Sequence, residues 1–597
     1  MSYRTPVRDF RFALKHMASF DSLADTGAFE DLSDDLVEAI LEEMGRYCDE
    51  VVAPLNWASD QNGATLQDRV VTTTPGFPEA YAQYVEGGWN ALSFPESAGG
   101  QGLPSTLAVV LIDALNAASA SFAIGTSLTI GAAKAIKVAG TDAQRELYLE
   151  KLVSGEWTGA MDLTEPQAGS DLADIKTKAE PVGDGRYRLS GQKIYITYGD
   201  HDLAENVIHL VLARLPDAPE GTSGISMFLV PKFHVNADGS IGDRNDVYCV
   251  GLEHKLGLHG SPTCVMSFGE TGECYGTLLG EENRGLRNMF IMMNSARLDV
   301  GAQGIGIAER SFQRALAYAQ ERRQGRAPGV RTGKQVPIYE HPDVRRMLFT
   351  MKALTEAGRG ICYANAVAYD LARTSPDEAI RQSASALEGL LTPISKAWST
   401  DRANEITSIG VQVHGGMGYV EETGAAQHMR DSRIAAIYEG TNGIQAIDLV
   451  GRKLQGDGGE AALNFLADVK AASDSAAEHE DVVVRRAAGL LSQAHDAVAA
   501  STEWLLERAP ESQEDVLAGA APYLKQLGNV AGGYYLLRGV LSAMAADGDV
   551  NERELGYRTA LLGFYADNVL TEAIGLTGAV TSGAATLVRI DPEAFGG

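Results

Sequence analysis

Glu439 stands in the turn Ile437-Tyr438-Glu439-Gly440-Thr441-Asn442, a carboxylate among apolar and aromatic neighbours. A carboxyl group in such company is costly unless it is hydrogen-bonded or used as a base. A second run, Thr164-Glu165-Pro166-Gln167-Ala168-Gly169-Ser170-Asp171, joins hydroxyls to a proline and a glycine. A loop of that kind can aim backbone N–H groups and hydroxyls at an electron-rich ring or a phosphate. Tyr195 and Thr197 alternate with Ile194 and Ile196, which predicts that ring and hydroxyl share one face of a strand. Such a face suits a flat, polar-edged ring. Taken singly, each piece has a plainer reading: a solvated glutamate, a turn, a strand packed on a core. Their chemical reading rests on their occurring together.

The surrounding elements divide into blocks. Residues from about 30 to 157 read mostly as helices, with Ser33 or Asp34 as a cap before Leu36, Val37, Ile40 and Leu41. From Trp157 to Phe268, short β-branched and aromatic segments are punctuated by glycine and aspartate. Few helical crossovers separate them, which predicts an antiparallel β domain and not a dinucleotide-binding unit. Helical periodicity returns at Gly285 and runs to Leu454 in long segments with small residues on one face, the pattern of a tightly packed bundle. After Gly456-Asp457-Gly458-Gly459 the chain is helical again. The expected division is an N-terminal extension (1–34), a helical domain (35–157), a β domain (158–280), a bundle carrying Glu439 (281–455) and an additional helical domain (456–597).

With 79 acidic against 50 basic residues in 597, the net charge of −29 disfavours non-specific binding to nucleic acid or an anionic membrane. The first residues carry Arg4, Arg8, Arg11 and Lys15 without the apolar run of a signal peptide, and no uncharged stretch reads as a membrane span. Five scattered cysteines without a Cys-x-x-Cys pair argue against disulfides or a thiolate metal site. The simplest compartment is the cytoplasm. Gly301-x-x-Gly304-x-Gly306 has the wrong spacing and no preceding strand for a phosphate loop, and predicts close helix packing. Asp547 to Asn551 resembles the start of a calcium loop but has Glu552 where glycine is needed, and reads as a capped turn. The histidines, His414 included, show no ligand spacing, so no metal is expected.

Taken together, Glu165-Pro166-Gln167-Ala168-Gly169-Ser170-Asp171, Gly191-Gln192-Lys193-Ile194-Tyr195-Ile196-Thr197, Gln412-Val413-His414-Gly415-Gly416-Met417-Gly418-Tyr419, Asp431 and Ile437 to Thr441 resemble, in order, the signatures of the acyl-CoA dehydrogenase family. The likeness covers about 35 to 455, and the extra C-terminal block places it with the longer branch, which includes enzymes acting on 3-methylmercaptopropionyl-CoA. The resemblance implies an α+β fold of helical domain, β domain and helical bundle, and FAD-dependent α,β-dehydrogenation of an acyl-CoA in fatty acid metabolism. It makes Glu439 the catalytic base for the α-proton, with the β-hydride going to flavin N5 and a trans-2-enoyl-CoA as product. The Glu439 N–H and a ribityl hydroxyl would polarise the thioester carbonyl.

Leu163 and Thr164 would meet the flavin near its pyrimidine edge and N5, Ser170 its phosphate, Tyr195 its ring and Thr197 the region of N5. Arg322, Gln324, Gln412 and Gly416 would reach a neighbouring subunit's cofactor, and Thr441 the nucleotide part. Ser170, Arg297, Tyr438 and Gly440 are expected on the substrate side. Three positions depart from the family pattern. Tyr195 stands where tryptophan is common, the phenylalanine usual beside Gly325 is missing, and Ala296 replaces an alternative base before Arg297. Electron-transfer flavoprotein is the implied acceptor and a homodimer the implied assembly. The acyl group stays open among thioether, straight, branched and aromatic classes. An oxidase or non-dehydrogenase flavoprotein of the same fold, or a cofactor-free helical assembly, are the alternatives.

Overall fold

The computed structural model describes residues 3–29, 32–546 and 548–596. They form two compact units, one of residues 46–299 and the other of 3–45 with 300–597.

In the unit of residues 46–299, the helix Ser105–Ala139 is the most apolar element. It is long and apolar enough to cross a membrane, a property the sequence reading overlooked, yet 94% of its apolar window is buried within the protein. It is a core helix: Leu128, Ile130, Ala132 and Ile136 share one buried cluster with Ile208, Leu210, Leu212, Met227 and Leu229 of the sheet. Helix and sheet approach so closely at Gly159 that a Cβ there would stand 2.3 Å from the Ala132 methyl. The next helix, Asp142–Ser154, starts with a capping box between Thr141 and Gln144.

The strands are β1 (Thr65–Gln67), β2 (Val70–Thr72), β3 (Thr158–Asp162), β4 (Lys178–Gly183), β5 (Arg186–Thr197), β6 (Val207–Arg214), β7 (Ile225–Pro231), β8 (Phe233–Val235), β9 (Ile241–Arg244), β10 (Val247–Leu252), β11 (Thr263–Phe268) and β12 (Tyr275–Leu278). The main sheet runs β10-β11-β5-β12-β7-β6-β3, with β4 against β5 and β6. It departs from the expected antiparallel pattern at one edge, where β3 runs parallel to β6 from Thr158↔Val207 to Asp162↔Val211. The long excursion from β3 through β4 and β5 permits that return, which local patterning does not reveal.

The other unit is helical. Pro342–Thr374 and Glu378–His414 pair with the part of Gly285–Glu321 from residue 300 onward, and small residues sit where backbones meet. A Cβ on Gly301 would stand 2.5 Å from the Ser395 carbonyl oxygen, so this glycine serves packing, as its spacing predicts. The C-terminal helices Val482–Arg508, Gln513–Ala545 and Glu552–Tyr565 continue the same unit, where Trp398 donates to Asn529 Oδ1 at 2.8 Å. Asp547 of the calcium-like run lies outside the described residues; Asn551 caps the following helix by accepting from the Glu554 N–H.

Buried in this unit is a balanced set of charges. The Lys352 ammonium lies 2.7 Å from Asp9, 2.8 Å from Glu309 and 2.9 Å from Glu356. Arg359 and Arg558 complete the neutralisation, at 2.7 Å from Glu356 and 2.6 Å from Asp9 respectively. The three carboxylates have the mutual spacing of a cation site, and the ammonium lies among them. Nothing in the local sequence around any of them signals the cluster.

Candidate functional site

The residues singled out by sequence fall into the two units, and each half has its own geometry.

In the unit of residues 46–299, three bonds bring the 163–165 segment beside β5. Ile194 N–H donates to the Thr164 carbonyl at 2.9 Å, and Lys193 Nζ donates to the Leu163 carbonyl at 2.9 Å and to Glu165 Oε1 at 2.8 Å. Glu165 and Ala168 exchange backbone bonds, closing the loop on itself. The Glu165 carboxylate also accepts from the Thr177 hydroxyl and N–H, the Lys176 N–H and the Gln167 amide. Burial would push its pKa up, but the Lys193 charge and these donors hold it down at about 2. The loop is therefore rigid on its inner side and open on its outer side, where Gly169 and Ser170 are exposed.

Tyr195 does not follow the alternation its sequence predicts. The register of β11 on β5 slips between Met266↔Lys193 and Cys264↔Ile196, so Ile194 and Tyr195 together stand opposite Val265. This bulge puts Tyr195 at φ +60° and leaves its side chain 59% exposed, while Ile196 is buried and Thr197 half-buried. The result is an aromatic face, next to Thr164 in the hydrogen-bonded framework, that has no covering side chain of its own strand. A flat ring with polar edges, such as an isoalloxazine, fits this arrangement: one exposed aromatic, hydroxyls from Thr164 and Thr197, and an open glycine-serine loop. Arg297, by contrast, is buried, with its guanidinium 5.9 Å from the Phe290 ring.

In the other unit, Glu439 is half-buried at φ +55° and Gly440 follows at φ +83°. A left-handed glutamate is uncommon because its Cβ crowds the backbone. The turn is held from several sides. The Tyr438 hydroxyl donates to Gln303 Oε1, and Gln445 Nε2 donates to the carbonyls of both Glu439 and Gly440 at 3.3 Å. Asn442 accepts from Lys396 Nζ at 2.9 Å and donates to Ala397, Thr400 and Asp401 of Glu378–His414. Thr441 caps the helix Asn442–Asp448 by accepting from the Ile444 N–H. Burial and the neighbouring Glu439 push the Tyr438 phenol up, so it stays protonated and donates.

The remaining expected residues are exposed in the same unit: Arg322 and Gln324 on a loop, Gln412 in the last turn of Glu378–His414 and Gly416 in the short turn after it. Arg322 and Gln324 open a hairpin-like excursion closed by Gln324 N–H to the Val336 carbonyl and Ile338 N–H to the Arg322 carbonyl. Gln412 and Gly416 are exposed, and Tyr419 beside them is 90% exposed. His414 Nδ1 pairs with the Gly410 carbonyl, and its ring lies against Tyr318. Sequence reasoning missed Lys193, Gln303 and Gln445. Lys193 lay inside a quoted motif, and its buried charge is a signal only once Glu165 is known to sit beside it.

Four family models cover nearly the whole chain: acyl-CoA dehydrogenase N-terminal domain at 35–156, middle domain at 160–271 and C-terminal domain at 283–454, then an acetyl-CoA dehydrogenase C-terminal-like model at 465–591. A 3-methylmercaptopropionyl-CoA dehydrogenase of Ruegeria pomeroyi is 45% identical over 96% of this chain and 97% of its own length. The broad-specificity linear acyl-CoA dehydrogenase FadE5 of Mycobacterium tuberculosis is 32% identical over 95% of each chain. The solved structure of an acyl-CoA dehydrogenase from Bacillus anthracis, complexed with FAD, shares the fold at a TM-score of 0.74 and 21% identity. It covers 94% of this chain and 90% of that one.

Proposed function

The chain belongs to the acyl-CoA dehydrogenase family, and from that premise we propose that Glu439 is the base with which it takes an acyl-CoA to the trans-2-enoyl-CoA. The observation that carries this assignment is a carboxylate in a left-handed turn held through the Tyr438 and Asn442 side chains and the Glu439 and Gly440 carbonyls. A solvated surface glutamate has no need of such restraint.

FAD is the cofactor, and when bound it accepts the hydride lost from the β-carbon. Tyr195 offers its exposed face to the flavin ring, Thr164 and Thr197 offer hydroxyls to its polar edge, and Leu163 shapes the adjoining backbone. Ser170 lies in the open loop suited to a phosphate. The Glu439 N–H donates to the thioester carbonyl, which makes the α-proton more acidic. The Glu439 side chain then takes that proton. An ordinary glutamate, with a pKa of about 4.3, is a weak base for this step. Exclusion of water by the acyl group raises its basicity toward the useful range. Tyr438 and Gly440 border the substrate, and Thr441 the nucleotide part of FAD.

Arg322, Gln324, Gln412 and Gly416, all exposed, face a second copy of the chain in a homodimer. Light scattering that finds a stable monomer refutes that assembly. Electron-transfer flavoprotein would be the partner that takes the electrons from the reduced cofactor. The five cysteines are free and buried, which agrees with a reducing, cytoplasmic setting. The near full-length likeness to an enzyme named for 3-methylmercaptopropionyl-CoA, and the weaker one to a broad-specificity linear acyl-CoA enzyme, favour a thioether or straight acyl group. An acyl-CoA panel with an artificial electron acceptor ranks these substrates.

The decisive variant is Glu439→Gln. It retains FAD and loses turnover by at least about 1,000-fold, more than general base catalysis alone supplies at its lower end. Anaerobic bleaching of the flavin by acyl-CoA at the wild-type rate removes Glu439 from its role.

A further inference from the structure

We infer that Gln445 and Gln303 are positioning residues for the base: together they fix the backbone from which the Glu439 side chain projects, without touching the reacting atoms. The inference rests on the reading of Glu439 as the base and goes beyond it.

Two successive residues, Glu439 and Gly440, hold positive φ. Glycine adopts that conformation freely, but glutamate does so only where the surroundings over-determine it. Gln445 supplies the first constraint. It is fully buried in the first turns of Asn442–Asp448, and its amide reaches back across the turn to both the Glu439 and the Gly440 carbonyl. One donor group thereby fixes the planes of two consecutive peptides. Those planes set the backbone on the C-terminal side of Glu439. The acceptor oxygen of the same amide has no hydrogen-bond partner, though it is buried. An apolar side chain of equal size would leave no such orphan, so the two carbonyl bonds account for a glutamine here better than packing does.

Gln303 supplies the second constraint, from the helix Gly285–Glu321. It is 3% exposed and accepts the Tyr438 hydroxyl bond, anchoring the residue before Glu439. The base is thus gripped on both sides in sequence: through a side chain at 438 and through carbonyls at 439 and 440. The Asn442 bonds to Glu378–His414 hold the following residue to a second helix. Proton transfer falls steeply with misplacement, by about 100-fold for an error of about 1 Å.

The test uses the full-length, FAD-loaded protein with 3-methylmercaptopropionyl-CoA and butyryl-CoA as probes. Gln445→Met and Gln303→Met keep side-chain length and remove the constraints. Each lowers kcat by about 10- to 100-fold while KM and the FAD-to-protein ratio stay within about twofold of wild type. Gln303→Glu keeps an acceptor for the phenol and recovers kcat to within about threefold, with the acid limb of its pH profile moved upward by the added negative charge. Wild-type kcat in both Met variants, with Glu439→Gln inactive, overturns the inference and leaves the base assignment standing. Loss of FAD and of melting temperature with kcat per bound FAD unchanged also overturns it, because that is a purely structural role. A fully active Glu439→Gln removes the base assignment itself.

Discussion

Lys193 and Glu165 form an ion pair of 2.8 Å in which both side chains are closed off from water. The pair joins β5 to the Leu163–Glu165 segment, so it fixes the backbone beside the exposed Tyr195 ring. Because the folded-state pKa of Glu165 is about 2 against an ordinary 4.5, its contribution to stability is fully present above the unfolded value. It is lost as pH falls from 4.5 toward about 2. The difference corresponds to an effect on the order of 3 kcal/mol. Glu165→Gln therefore has a shallower acid limb than wild type across that window, measured by urea unfolding at a series of pH values. A constant difference between the two proteins over the whole window contradicts this account.

Lys352→Met leaves Asp9, Glu309 and Glu356 with two arginines among them and no central ammonium. Removing one partner of a buried charge set costs about 3–5 kcal/mol. Guanidinium unfolding of the variant should show a midpoint well below wild type, and equal midpoints would mean that the cluster is not closed in solution.

Tyr195 separates binding from folding. Its left-handed backbone costs about 1–2 kcal/mol, which glycine does not incur. Tyr195→Gly is thus expected to leave the apoprotein's melting temperature unchanged or higher while FAD dissociates more readily. Loss of the aromatic face weakens FAD binding by about 2- to 10-fold, read by fluorescence titration. A variant that is less stable and binds FAD as well as wild type reverses both signs.

Gly301→Val puts a branched side chain where a Cβ alone would stand 2.5 Å from the Ser395 carbonyl oxygen. Such overpacking costs about 1–3 kcal/mol. Thermal unfolding of the variant at or above the wild-type temperature would mean that the two helices do not meet there.

The parts legible in sequence were those whose information is local. The Glu439 turn and the Thr164 loop are short runs, and the small-residue face of the bundle helices repeats at helical spacing. The parts that stayed hidden depend on distant partners or on broken periodicity. Gln303 lies 135 residues from Tyr438, and Lys193 28 residues from Glu165, so neither pairing leaves a mark in its own neighbourhood. At Tyr195 the pattern looked like a regular strand, and one extra residue in the register turned the ring outward. The helix Ser105–Ala139 shows the converse: its apolar run is local in the sequence and was still passed over, and only its burial separates a core helix from a membrane span. The parallel β3–β6 pair depends on where a long connection returns, which patterning within each strand does not encode.

The bond between Asp9 and Arg558 joins residues 549 positions apart. At about 5–20 residues per second, Arg558 leaves the ribosome roughly 30 to 110 s after Asp9. Through that interval the nascent N-terminal helix carries a carboxylate whose final counter-charge has not been synthesised. Lys352, Glu356 and Arg359 emerge while it waits. Closure of this core is therefore a late event in the protein's manufacture, and truncated products ending before residue 558 should be clients of chaperones and proteases, not stable shorter enzymes.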